Sequence, residues 1–246
     1  MAKRFGPGTC IHCGEPSDKL TNDHIFPDGW YPDSTPRGLE KWQAPSCEAC
    51  NAEYGKLERR LFQQLAMGVE PWVVGGEGIG ERALRGCDPR AAKSDDDKKH
   101  REGAREKLRR RMKELPVIPL STGILPNVGT IMPSVDGYTA EEIDWSDIER
   151  MVVKFVRGMT YHVTGQVLPQ SYVIHVVRPE LNGRVSPEIT NSPATTLERG
   201  PGFRVVRHAT AEDQFSAFFR IFLWGKYEFF AAVWSSELDS SRTIAG

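Results

Sequence analysis

The stretch SCEACNAEYGKLE, residues 46–58, decides how this chain is read. Cys47-x-x-Cys50 repeats the spacing of Cys10-x-x-Cys13, and each pair can sit on a tight knuckle and offer two thiolates to one ion. Two such pairs point to a tetrahedral structural zinc at Cys10, Cys13, Cys47 and Cys50. The alternative is free or redox-active thiols, which accounts less well for the pairing; the fifth cysteine, Cys87, stands alone and reads as a buried or idle thiol. After Cys50 the pattern becomes helical. Tyr54, Leu57, Leu61 and Leu65 recur at spacings of three and four, and Gly68 and Pro71 are expected to end the helix.

Four thiolates leave such a zinc no open position, so any chemistry must come from its neighbours. Asp23 and His24 lie inside the stapled segment, in TNDHIFPDGW, residues 21–30, and Asn51 directly follows the last thiolate. Successive helix residues point about 100° apart, so Cys50 can face the zinc while Asn51 faces a neighbouring cleft. Asp and Asn oxygens are hard ligands suited to Mg²⁺ or Mn²⁺. His24, pointing the other way on a strand, can act as a general base on water. Glu58, seven residues after Asn51, shares its helix face and is either an outer-shell or extra ligand or a surface carboxylate. His12, inside the first knuckle, reads as a surface residue.

The order Cys-x-x-Cys, Asp-His, Cys-x-x-Cys-Asn resembles the zinc-stapled HNH (ββα-metal) endonucleases, in particular the variant with Asn in the last position found in phage junction-resolving enzymes. DHIFP and CNAEYGKLE are also similar to stretches of bacterial and phage HNH proteins. The resemblance covers residues 8–66. It implies a β-hairpin followed by a helix, with His24 as general base and Asp23 and Asn51 on one catalytic divalent cation. It departs from the family at Trp42, where many members carry Asn. Gln43 is a substitute for that Asn, or Trp42 packing holds the loop instead. The activity implied is hydrolysis of phosphodiester bonds in DNA, in phage, mobile-element or bacterial-defence settings, and two active sites in such relatives leave room for a homodimer. An RNase on the same scaffold and a non-catalytic zinc-stapled nucleic-acid-binding module are the alternatives.

The rest of the chain supplies less chemistry. A net charge of −1 means that any hold on nucleic acid must come from a local patch. The candidate is SDDDKKHREGAREKLRRRMKEL, residues 94–115, read as one helix with Ser94 and Asp95–Asp97 at its N-terminus. Residues 98–113 hold nine Lys or Arg against Glu102 and Glu106. Arg105, Arg109, Arg110 and Lys113 are its candidate phosphate contacts. Residues 141–246 read as an accessory unit with an amphipathic helix through Ile148, Met151, Val152, Phe155, Val156 and Met159. Strands follow, the last two joined by a tight turn at Gly225 and Lys226. That unit offers a surface for a ligand or protein partner.

The expected architecture is therefore α+β: a ββα-metal nuclease unit over 1–68, a linker with a basic helix over 69–140, and an α+β unit with an antiparallel sheet over 141–246. No apolar run approaches the roughly 18 residues of a membrane span, and MAKRFGPGTC has no apolar core of a secretory signal. The reading expects a cytoplasmic chain without membrane contact.

Overall fold

The computed structural model describes residues 5–70, 72–115, 130–134, 137–141, 143–177, 193–210 and 213–237, with the backbone path alone between 111 and 141. It is an α+β molecule with antiparallel sheets and, among the described residues, four α-helices. Strands β1 (Gly8–Thr9) and β2 (Pro16–Ser17) pair on either side of the first cysteine knuckle. Strands β3 (Thr21–His24) and β4 (Gln43–Ser46) pair in a register that sets Thr21 opposite Ser46 and His24 opposite Gln43. Helix α1 (Glu48–Ala66) leaves β4 directly, capped by Cys47, whose Sγ accepts from the Cys50 amide. Its stripe behaves as the periodicity requires, with Leu57, Leu61 and Leu65 all buried. The helix ends at Ala66, just before the expected Gly68.

Helix α2 (Ile79–Cys87) packs on α1, and α3 (Asp95–Arg111) follows it. The start of α3 is as expected, since the Ser94 hydroxyl accepts from the Asp97 amide and the Asp97 carboxylate accepts from the Lys93 amide. Its end is not. The helix stops at Arg111 and the chain turns into strand β5 (Met112–Leu115), which pairs with β7 (Gly137–Glu141), itself paired with β6 (Thr130–Ser134). A thin apolar stripe gives the last helical turn little to bury, and a strand partner wins over helix propensity. Lys113 accordingly sits on β5 and not on the basic helix, and its side chain lies outside the described residues.

Helix α4 (Trp145–Thr164) is capped by Asp144, which accepts from the Ser146 amide, and closed by Gly165 at φ 71°. A five-stranded antiparallel sheet follows in the order β8-β12-β11-β10-β9. Its members are β8 (Tyr172–Val177), β9 (Ala194–Glu198), β10 (Phe203–Ala209), β11 (Ala217–Leu223) and β12 (Tyr227–Ser235). Alternation puts Val176, Val205, Phe219, Ile221 and Ala231 on the buried face. The turn between β11 and β12 takes two residues with positive φ, Trp224 at 54° and Gly225 at 66°. Trp224 accepts that conformation while fully buried, where its indole nitrogen donates to the Trp30 carbonyl at 2.7 Å.

Residues 1–68 and 141–246, expected as separate units, share one core. Phe26 stacks on Phe203 at 4.4 Å and packs against Phe155 at 4.8 Å, and Trp30 meets Trp224 at 5.4 Å. Helix α4 crosses the end of β3 at Gly158, where an added Cβ would lie 2.8 Å from the Ile25 side chain. Gly158→Ala is expected to lose about 1–3 kcal/mol from overpacking, read as a fall in Tm. No helix among the described residues is long and apolar enough to cross a membrane.

Candidate metal centre and the charge cluster at Asp23

The Sγ atoms of Cys10, Cys13, Cys47 and Cys50 all lie within 4.8 Å of one another, and none is in a disulfide. A tetrahedral ion with sulfur at about 2.3 Å requires edges of about 3.8 Å, and Cys13 and Cys47 are 4.0 Å apart. The first knuckle closes through the Gly14 amide on the Cys10 carbonyl, with Gly14 at φ 75°, and the Ile11 amide ties it to the Pro45 carbonyl beside β4. Burial pushes the Cys10 thiol up, but hydrogen bonding from the backbone at Cys13, Cys47 and His12 brings it down to about 7. The four cysteines can hold a metal ion. Their place is the joint between the knuckle, β4 and α1. Cys87 lies apart on α2, buried and in contact with Gln63 of α1.

Strand β3 alternates, and the two candidate residues on it go opposite ways. Asp23 turns inward and is 5% exposed. His12 Nε2 donates to Asp23 Oδ2 at 2.8 Å, and Lys154 Nζ from α4 lies 3.0 Å from Oδ1. Lys154 is itself 1% exposed; its ammonium also meets Glu58 Oε1 at 2.8 Å and donates to the His24 carbonyl. Burial would raise the Asp23 pKa, yet the His12 hydrogen bond and the Lys154 charge hold it below its ordinary value. Burial pushes Glu58 up against the pull of Lys154, and it lowers His12, which stays a neutral donor. Two carboxylates thus share one buried ammonium.

His12 is therefore no surface residue. It is buried, on Asp23, with its ring 4.4 Å from that of Tyr54. Nor does the cluster fit a divalent cation on Asp23 and Asn51 as the side chains stand. Both Asp23 oxygens are engaged, and the Lys154 ammonium fills the space between Asp23 and Glu58. Asn51 turns its amide to the Thr21 hydroxyl at 3.0 Å and lines an open groove of about 540 Å³.

His24 comes off the other face of β3. Its Nε2 is 3.1 Å from the Gln43 amide nitrogen, whose oxygen accepts from Asn22 at 2.9 Å. Burial lowers its pKa below the ordinary value, so the ring is neutral at pH 7. Gln43 and Trp42, the two alternatives for the loop after β3, both make contacts there. Gln43 meets the histidine directly, while Trp42 lies over His162 at 4.6 Å and its carbonyl accepts from the Ile25 amide.

No family model, curated protein or solved structure matches this chain.

Of the candidate phosphate contacts on α3, Arg105 and Arg109 are exposed, and Arg110 pairs with Glu106 at 3.0 Å. The residues that sequence reasoning missed are His12 and Lys154. The signal for Lys154 was in the helix pattern: it falls on the stripe of Met151, Phe155 and Gly158, where a lysine needs a buried acid. Nothing in the pattern says which acid.

Proposed function

We propose that this chain is a zinc-stapled nuclease of the HNH type that hydrolyses phosphodiester bonds in DNA. The observation that carries the reading is the joint at the four cysteines. It sets the Thr21–Asp23 face of β3 against the Asn51–Glu58 face of α1, while the neutral His24 leaves the opposite face. Zinc is the ion that four thiolates at these separations suit. In hydrolysis His24 takes a proton from water, the water oxygen bonds to phosphorus, and the ester P–O bond breaks with its electron pair on the leaving sugar oxygen, which then takes up a proton. Gln43 decides which ring nitrogen is available. With its amide nitrogen on Nε2, the proton of the neutral ring is on Nδ1; with the amide oxygen turned to Nε2–H, Nδ1 carries the lone pair.

This sets a pH dependence. The base form of His24 is present above its folded-state pKa, which lies below 6.5, so cleavage falls as pH drops through that value. Gln43→Glu can only accept from Nε2–H and adds a negative charge, so it moves the acid limb of the rate profile to higher pH. An unchanged limb would remove Gln43 from this role. The broader test incubates the protein with supercoiled plasmid, single-stranded DNA and RNA, with Mn²⁺ or with EDTA. Cutting of DNA is expected, and no cutting of any substrate under either condition would overturn the nuclease reading.

A second reading is favoured by Lys154. An ammonium between Asp23 and Glu58 is what a chain would carry if it kept the fold and bound nucleic acid without cutting it.

A further inference from the structure

The groove beside Asn51 has a charge that neither the core nor the metal centre explains. Lys19, from the turn before β3, and Lys56 and Arg59, from α1, are all exposed and line it together with Thr21, Asn51 and Gly55. Glu48, at one end, is its single acid. None of the three cations has an ion-pair partner within 4 Å among the described residues. Their neighbours do: Arg60 of α1 binds Asp147, and Arg150 of α4 binds Glu53. The helix therefore neutralises its cations on the α4 side and leaves them open on this one.

The floor of the groove is a glycine inside a helix. Gly55 lies mid-way along α1, where glycine weakens a helix relative to alanine. Packing does not require it, since an added Cβ would meet only the Arg59 guanidinium, at an ordinary 3.7 Å. What the missing side chain provides is open space beside Lys56 and Arg59 in the groove that Lys19 also lines. Asn51 to Arg59 spans about 12 Å of helix at 1.5 Å per residue, or three to four nucleotides at about 3.4 Å of axial rise per strand.

We propose that this groove is the seat of a nucleic-acid phosphodiester backbone, gripped by Lys19, Lys56 and Arg59, with the Thr21 hydroxyl and the Asn51 amide as neutral rim contacts. The proposal rests on the reading that the chain handles nucleic acid, but it does not require cleavage. It also moves the main electrostatic grip from α3 to the face of α1 next to β3.

The test measures fluorescence anisotropy of a labelled 20-base-pair DNA duplex across a salt series, in a His24→Ala background without added divalent cation. Single-stranded DNA and RNA of the same sequence form parallel arms. The triple variant Lys19→Ala/Lys56→Ala/Arg59→Ala is expected to weaken duplex binding on the order of 100-fold near 0.1 M salt and to reduce the log–log salt slope by about 2 to 3. Arg105→Ala/Arg109→Ala on α3 should change both far less. Gly55→Leu fills the floor with a better helix former, so it should raise Tm and still weaken binding, a combination that simple loss of folding does not produce. Groove-dependent binding, together with a wild-type protein that cuts no substrate, supports the proposal and removes the nuclease reading. The proposal is overturned if the triple variant and Gly55→Leu bind all three nucleic acids as the parent does, or if the parent binds none.

Discussion

Cys47→Ser is expected to remove stoichiometric zinc and to unfold much more than the knuckle around it. Structural zinc contributes roughly 10–16 kcal/mol in small zinc-binding units, against a whole-protein stability of about 5–15 kcal/mol. Without the ion the first knuckle keeps the Ile11 amide on the Pro45 carbonyl and the His12–Asp23 bond, but its own strands β1 and β2 are only two residues each. Cys47 also caps α1 and begins directly after β4. Losing its thiolate frees the joint of β4 and α1 within the β3–β4–α1 unit. That unit contributes Ile25, Phe26, Leu57 and Leu61 to the core it shares with α4 and the five-stranded sheet. The loss should therefore show as one broad fall in Tm rather than as a separate early transition. Metal analysis beside calorimetry reads both; a Cys47→Ser protein with native Tm would show that the cluster is not a structural centre.

Lys154→Met should cost about 3–5 kcal/mol, on the order of 10 °C in Tm, although the new side chain is apolar and similar in length. The loss comes from what it leaves behind. Asp23 and Glu58 would face each other across a buried site with no ammonium between them. The two acids are not equivalent. Asp23 has a folded-state pKa below its ordinary 3.8, so its contribution is present above that value and is lost as pH falls through the lower one. Glu58 has a folded-state pKa above its ordinary 4.5, so it is favoured below that value and opposes folding as pH rises through the higher one. Glu58→Gln should accordingly be milder than Asp23→Asn, and adding Glu58→Gln to Lys154→Met should restore part of the lost stability. Thermal melts of the four variants check this. Additive losses would mean that the three groups do not share one charge balance.

Much of this was legible in the residues themselves. Spacing alone located the four cysteines, because a tetrahedral ion needs two knuckles. Period 3.6 located α1 and α4, and the strand-like runs after α4, the last two joined by a tight turn, correspond to β8, β10, β11 and β12. The end of α3 was not legible, since the residues from Met112 to Leu115 suit a helix locally and become a strand only because β7 lies beside them. The interior of the candidate site was hidden for the same reason. Asp23 and His24 were visible as a pair, but their surroundings come from His12 and from Lys154, whose ammonium reaches the His24 carbonyl across 130 positions of sequence. An amphipathic pattern shows that position 154 faces inward and is silent on the partner. The outer groove was missed differently. Lys19, Lys56 and Arg59 form no run in the sequence, so only the crossing of β3 and α1 collects them, whereas the conspicuous run on α3 drew the electrostatic reading to itself.

We propose that the zinc-type joint presents His24 as the base of a phosphodiester hydrolase. The most direct test of this claim is plasmid cleavage by wild type and His24→Ala, each shown to carry one zinc and to melt at the same temperature. The claim predicts that wild type nicks or linearises the plasmid and that His24→Ala, folded and zinc-loaded, does neither. Equal cleavage by the two proteins would contradict it.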